Sequence, residues 1–210
     1  PMARTVQDTA LLQNTIAGPH PLDIASIRPK KTVPLNIKGN LKGVKIGWSA
    51  DLEIFEVHPI IRRNLMKSIH ILEDMGAELE EIKLPWTIQM FDACMDYLTH
   101  IFGISIQDII KDKGDLATSY SLQWASNAKK STPKKYLEAL ELINKMYSSL
   151  GPILNKKMAF LCPTLGLPAV KAEHDQSCDD VVINGKTVNP ILGWCLTVPF
   201  NALSRLPVLA

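Results

Sequence analysis

The sequence lacks every short motif that would by itself identify an active site. It contains no G-x-S-x-G nucleophile elbow, no H-E-x-x-H zinc motif, no P-loop and no G-x-G-x-x-G dinucleotide fingerprint. It also has no apolar run approaching the roughly 18 residues that a membrane span needs. No single local motif therefore assigns a function, and membrane-spanning classes are not expected.

An excess of charge of either sign is also missing. Lys and Arg total 23 and Asp and Glu total 21, so the formal net charge is +2. This balance gives no electrostatic reason to expect nucleic acid or an anionic membrane as a partner. The hydrophobic fraction of 46% is sufficient for a sizeable core.

Paired cysteines are absent as well. The cysteines stand singly at Cys94, Cys162, Cys178 and Cys195, with no C-x-x-C spacing. Such spacing favours reduced thiols over a disulfide framework, so we expect a cytoplasmic protein.

Both ends of the sequence have an unusual character. It begins at Pro1 and ends in the apolar run 206–210, whereas natural termini are usually polar and exposed. We therefore expect the middle and C-terminal part of a longer protein. Missing neighbours would expose strand edges and apolar faces, so we expect this segment to be poorly soluble or molten when produced alone.

Apolar periodicity, capping residues and Gly or Pro boundaries predict several helices. Thr5 is the predicted N-cap of the first, and Thr132 followed by Pro133 begins another. The predicted helical stretches are 5–17, 59–75, 86–111, 119–129, 132–150 and, as helix or turn, 190–203.

Alternating or short apolar runs predict strands between these helices. They are residues 41–48, 78–84, 158–162, a hairpin at 181–188 around Asn184-Gly185, and the beginning of a strand at 207–210. A strand, a helix and a second strand in succession favour a β-α-β crossover with parallel strands. The predicted fold class is α/β, with part of a mixed β-sheet core flanked by helices.

The clusters of titratable residues do not identify a specific catalytic or metal-binding site. The run 173–180 is rich in carboxylate, imidazole and thiol groups, but its spacing matches no tetrahedral zinc site. We interpret it as a solvated loop before the hairpin. Asp92 and Asp96 share one helix face, where solvated charge is favoured over acid–base work. The histidines outside that run (His20, His58, His70 and His100) are isolated, and we predict no metal and no cofactor.

Three separated blocks resemble amidase-signature enzymes in order and approximate spacing. They are PMARTVQD with its continuation at 1–19, LKGVKIGW at 41–48 with MGAELEE at 75–81, and a third block. The third block runs from FLCPT at 160–164 through the hairpin turn to TVPFN at 197–201 and LPVL at 206–209. The resemblance implies one partial amidase domain over 1–210. Residues 86–157 match no block and are expected to be a helical insert that shapes substrate access.

The resemblance implies an amide hydrolase with a Ser–Ser–Lys triad. One serine attacks the amide carbonyl, a second serine on a cis peptide bond passes protons, and a neutral lysine is the general base. Backbone N–H groups would form the oxyanion hole. In the family these groups precede the segment that begins here at Pro1. We therefore assign no catalytic residue and expect this chain alone to be inactive.

What the resemblance places in this chain is part of the substrate pocket. The predicted substrate-binding residues are Met2, Leu161, Cys162, Pro163, Trp194, Phe200 and Asn201. Each apolar member could instead be a core residue, and Asn201 could fasten a turn through its amide. Arg205 stands where the family more often has a small Thr-Gly pair, and it could select an anionic substrate or face solvent.

Two alternatives remain open at this stage. The full protein could be the glutaminase component of a tRNA-dependent amidotransferase, although the 194–201 stretch is more similar to a stand-alone amidase. From a different class, an α/β solute-binding module would suit the β-α-β unit, but four unpaired cysteines oppose an exported binding protein. The expected partners are a small-molecule amide and, for the full-length protein, a second copy in a homodimer.

Overall fold

Residues 1–36, 39–204 and 206–209 are described by a computed structural model of the chain. The chain divides into two units, Pro1–Asn40 and Leu41–Ala210. The assignment of a single partial domain with an insert at 86–157 stays a prediction.

The first unit contains helix α1 (Val6–Ile16) and a long loop. Thr5 caps the helix as predicted, because its Oγ1 accepts a hydrogen bond from the backbone N–H of Asp8 at 3.1 Å. The loop is fastened to the helix by Asn14, whose side-chain amide both donates to the carbonyl of Val33 and accepts from its N–H, each at 2.8 Å.

The second unit is built on a three-stranded parallel sheet with the order β2-β1-β3. The strands are β1 (Lys45–Trp48), β2 (Glu78–Glu81) and β3 (Ala159–Leu161). Helix α2 (Pro59–Asp74) connects β1 to β2, which confirms the predicted crossover. The sheet and its flanking helices confirm the α/β class.

The first strand is shorter than predicted. Its expected opening residues form a turn instead, in which the N–H of Val44 donates to the carbonyl of Leu41 at 2.9 Å. The N–H groups of Leu41 and Gly43 donate to Met75 and Gly76 at the end of α2. Because these backbone groups bond the helix end, they are not available for a sheet ladder.

Residues 88–154 are largely helical, as the apolar periodicity predicted. They form α3 (Ile88–Leu98), α4 (Ile104–Ile110), α5 (Ser119–Ala128) and α6 (Pro133–Leu154). The helix predicted over 86–111 is interrupted by a π-helical turn at Thr99–Gly103. Helix α5 approaches there so closely that a Cβ on Gly103 would lie 2.8 Å from Ala128 Cβ.

The Asn-Gly hairpin is confirmed. Strands β4 (Val181–Ile183) and β5 (Lys186–Val188) pair antiparallel, with Ile183 opposite Lys186. Asn184 and Gly185 have φ values of 52° and 79°, the positive pair that a type I′ turn requires.

The hairpin is tied to the loop before α2. Asn184 Nδ2 donates to the carbonyl of Val57 at 3.2 Å. Lys186 forms a hydrogen-bonded ion pair with Glu56. The hydrogen bond from Lys186 is the main cause that lowers the pKa of the Glu56 carboxyl.

The main hydrophobic core is formed by α3, α6 and α7 (Val198–Leu203), together with β4 and the loops that follow β1 and β2. Leu52, Met146, Leu150 and Leu196 are fully buried within it. The strand predicted from residue 207 is wrong for residues 207–209, which are exposed and pair with no described strand. Arg205 and Ala210 lie outside the described residues. Within those residues, no helix is long and apolar enough to cross a membrane.

Candidate functional site

The carboxyl ends of β1 and β3 lie side by side. Trp48 is in register with Leu161, and the N–H of the next residue, Ser49, donates to the Leu161 carbonyl at 3.0 Å. Ligands of α/β proteins bind in the crevice beyond this edge of a parallel sheet. The chain that leaves β3 is therefore well placed to contribute to a site.

Backbone bonds join this chain to a distant segment. Leu165 and Cys195 form an antiparallel bridge. The N–H of Leu196 donates to Thr164 at 3.0 Å, and the N–H of Gly166 donates to the carbonyl of Trp194 at 2.7 Å. Residues 162–166 and 194–196, which are far apart in sequence, are thereby fixed next to each other.

The predicted residues at the end of β3 divide between the two faces of the sheet. Leu161 packs with the small cluster of Ala50, Leu65 and Ile69 over α2, whereas Cys162 packs against the main core. This is the period-two alternation of a strand. Burial raises the pKa of the Cys162 thiol to about 12, so this side chain is a neutral thiol at ordinary pH.

The predicted residues before and on α7 have distinct environments. Trp194 is buried and donates its indole N–H to the carbonyl of Pro190 at 3.2 Å. Phe200 is half-buried against the main core. Asn201 is exposed, and its Nδ2 donates to the carbonyl of Thr197 at 3.2 Å, so the amide fastens the first turn of α7.

Pro163 is half-buried beside Cys162, and Met2 lies in the first unit with its side chain 96% exposed. The second unit thus brings Leu161, Cys162, Pro163, Trp194, Phe200 and Asn201 to the chain segments at the carboxyl edge and α7. Their assignment to substrate binding stays a prediction.

A loop without any predicted site residue follows β1 at the same edge. Leu52 and Glu53 have positive φ values of 55° and 61°, a costly conformation for residues other than glycine. The buried hydroxyl of Ser49 holds this turn by accepting from the N–H of Leu52 at 3.0 Å. The signal available in the sequence was a polar Ser-x-Asp directly after a buried strand.

The other titratable groups considered from the sequence serve local structure. Asp175 accepts hydrogen bonds from Ser119 and Ser177, which shape the loop before β4. The pKa of Asp92 is raised by partial burial and then by the neighbouring Asp96 carboxylate. Over residues 1–36, 39–204 and 206–209, no group of three His, Cys, Asp or Glu side chains is arranged to hold a metal ion.

A surface groove of about 590 Å³ lies elsewhere in the second unit. It is lined by Lys45, Glu80, Ile82, Pro152, Ile153, Lys156 and Lys157, none of which is a predicted substrate residue. Its wall carries the ion pair between Lys157 and Glu80. We assign it no role in the candidate site, because none of residues 48–53, 161–166 and 194–201 lines it.

Thiol reactivity gives a direct test of this packing. At pH 8, we expect iodoacetamide to alkylate the native full-length protein at Cys178 well before Cys94, Cys162 or Cys195. Burial raises the pKa of Cys94 and Cys162 to about 12 and that of Cys195 to about 11, whereas Cys178 is exposed. The pKa of Cys178 is raised as well, by partial desolvation and by Asp175 and Asp179, so its reaction should be slow but selective.

Peptide mass spectrometry after timed quenching measures this order. A Cys178→Ser variant should remain almost unlabelled at Cys94, Cys162 and Cys195 until denaturant is added. Early modification of Cys162 would contradict the burial that raises the pKa of its thiol.

Comparison with known proteins identifies a family over nearly the whole chain. Residues 1–209 match the family model described as Amidase. An amidase of Pseudomonas putida is 25% identical over 178 residues, covering 83% of this chain and 38% of that protein. The A subunit of the glutamyl-tRNA(Gln) amidotransferase of Roseiflexus sp. (strain RS-1) is 34% identical over 88 residues, covering 41% of this chain and 18% of its own length.

Solved structures show the same fold. The crystal structure of a bacterial aryl acylamidase of the amidase-signature enzymes superposes with a TM-score of 0.81 at 23% identity, covering 95% of this chain and 43% of that one. The chain thus spans less than half the length of the relatives it matches. The match to the family model over residues 1–209, with which these relatives agree, establishes that the chain belongs to the Amidase family, the amidase-signature proteins.

Proposed function

We propose that the full-length protein hydrolyses carboxylic amides to an acid and ammonia or an amine. The observation that carries the proposal is the family match over residues 1–209. The catalytic serines and lysine are then supplied by sequence outside these 210 residues, and this chain alone is inactive. The second unit contributes one wall of the substrate site.

The proposed wall favours an uncharged, apolar acyl group. The assigned residues carry no charged side chain, and the thiol of Cys162 is neutral because its pKa is raised to about 12 by burial. The amide of Asn201 already donates to Thr197. Free glutamine would bring an ammonium and a carboxylate to this surface, and buried charges need charged partners.

The second candidate, the glutaminase component of a tRNA-dependent amidotransferase, is supported by the 34% identity over 88 residues to such a protein. The solute-binding alternative rests on the β-α-β unit, an arrangement that is not specific to that class. We further propose a cytoplasmic location, consistent with four free cysteines, and a homodimer of the full-length protein.

The test uses the full-length protein and an amide panel. Release of ammonia or amine is measured from acetamide, benzamide, an acyl anilide and free glutamine. We expect turnover of the apolar amides and at least about tenfold lower kcat/KM for glutamine, since unpaired buried charge is costly. Preferred turnover of glutamine would favour the glutaminase over the stand-alone amidase. No turnover of any amide would refute the proposal.

A further inference from the structure

Trp86 makes an aromatic contact with Phe200. It precedes α3 and is 3% exposed. Its ring centroid lies 6.1 Å from that of Phe200, at an interplanar angle of 56°. This is a tilted aromatic contact within the favourable range of separations. The half-buried Phe200 ring therefore rests on an indole that solvent hardly reaches.

The indole is itself held in place by α6. Its Nε1–H donates to Ser149 Oγ at 2.9 Å, with a longer contact of 3.4 Å to the carbonyl of Met146. Ser149 Oγ in turn donates to the Met146 carbonyl at 2.7 Å. Both the plane and the depth of the ring are thus set by two consecutive hydrogen bonds.

Phe200 and Asn201 are the two predicted substrate residues on the short helix α7. Of these two, Phe200 offers the larger apolar surface. A ring that can rotate or sink offers a poor surface to a bulky acyl group. A ring supported from behind offers a rigid one, and rigid positioning of a substrate contact raises affinity.

We propose that Trp86, held by Ser149, is a positioning residue that fixes Phe200 as a platform for bulky, aromatic acyl groups. This inference rests on the proposed amide hydrolysis. It names the substrate class: amides of aromatic acids are preferred over amides of small aliphatic acids because only the former cover the Phe200 ring. Trp86 acts through Phe200 and does not touch the substrate.

The experiment compares two amides with the same amine, a benzoyl anilide and an acetyl anilide, on the full-length protein. We expect Trp86→Leu to lower kcat/KM for the benzoyl anilide about tenfold, mainly through KM, and to change the acetyl anilide less than about threefold. Trp86→Phe should retain most of the selectivity, since it keeps an aromatic support. Ser149→Ala should lose part of it.

A double-variant cycle separates positioning from general damage. In the Phe200→Ala background, Trp86→Leu should cause no further selective loss. Ile71→Ala, on α2 at a side chain that is 59% exposed, controls for the truncation of an apolar side chain outside the candidate site and the expected insert, and should leave selectivity unchanged.

Each result decides between distinct conclusions. Equal losses on both anilides, or a selective loss that persists without Phe200, would overturn the role of Trp86 while leaving amide hydrolysis intact. If Trp86→Leu fails to fold, Ser149→Ala tests for the selective loss and Trp86→Phe for its retention. A wild-type protein that hydrolyses neither anilide would refute this inference, and one that also leaves the rest of the amide panel intact would refute the proposed function.

Discussion

Leu150→Ala is expected to lower the free energy of unfolding of the full-length protein by about 2–5 kcal/mol. Leu150 is fully buried on α6, within the main core. The substitution removes several buried methyl and methylene groups and leaves a cavity that the rigid surroundings only partly fill. The transition midpoint in urea should fall without a change in slope.

The same helix provides a matched control. Leu137 also lies on α6 but is 60% exposed, so Leu137→Ala makes the same chemical change with the same small gain in helix propensity. Its effect should stay within about 0.5 kcal/mol. Equal effects at the two positions would mean that α6 does not present this face to the core.

Local sequence signals predicted local structure well, for identifiable physical reasons. Thr5 and Thr132 cap their helices through hydrogen bonds to the N–H three residues ahead, an interaction that needs no distant partner. The Asn184-Gly185 turn likewise follows from the ability of these residues to adopt positive φ. Such features can be predicted because their energetics involve only neighbours in sequence.

Features that depend on distant contacts could not be predicted in the same way. The π-helical turn at Thr99–Gly103 accompanies the close approach of α5, which no periodicity in α3 encodes. The shortened β1 arises because the turn before it bonds the end of α2. In both cases a tertiary contact competes with local propensity and decides the geometry.

The candidate site shows the same division. The resemblance to the family predicted that Cys162, Pro163 and Trp194 belong to one pocket, but the sequence does not show how the two segments are aligned with each other. The antiparallel pairing of Leu165 with Cys195 in the structure shows this alignment. Similarly, the support of Phe200 by Trp86 joins residues that no sequence motif connects.

Gly166→Ala is the second substitution with a large expected effect, because Gly166 lies at the junction on which the candidate site depends. Its N–H donates to Trp194 and its carbonyl accepts from His58, both at 2.7 Å. A Cβ at this position would stand 2.6 Å from the backbone oxygen of Glu56, a distance at which the backbone must shift. We expect the free energy of unfolding to fall by about 1–3 kcal/mol.

Gly114→Ala is the control for this substitution, since a Cβ on Gly114 meets no heavy atom within 4 Å and its φ is not in the left-handed region. It should be neutral or stabilising by less than about 1 kcal/mol. The methyl group added by Gly166→Ala should force a shift of the paired segments 164–166 and 194–196. Amide turnover by the full-length protein should therefore fall more in the Gly166→Ala variant than in the Gly114→Ala variant. Chemical denaturation and amide kinetics on the two variants measure both effects. If Gly166→Ala were as stable and active as Gly114→Ala, residues 162–166 and 194–196 could not be packed as closely as the structure places them. The proposed wall of the substrate site would then lose its physical basis.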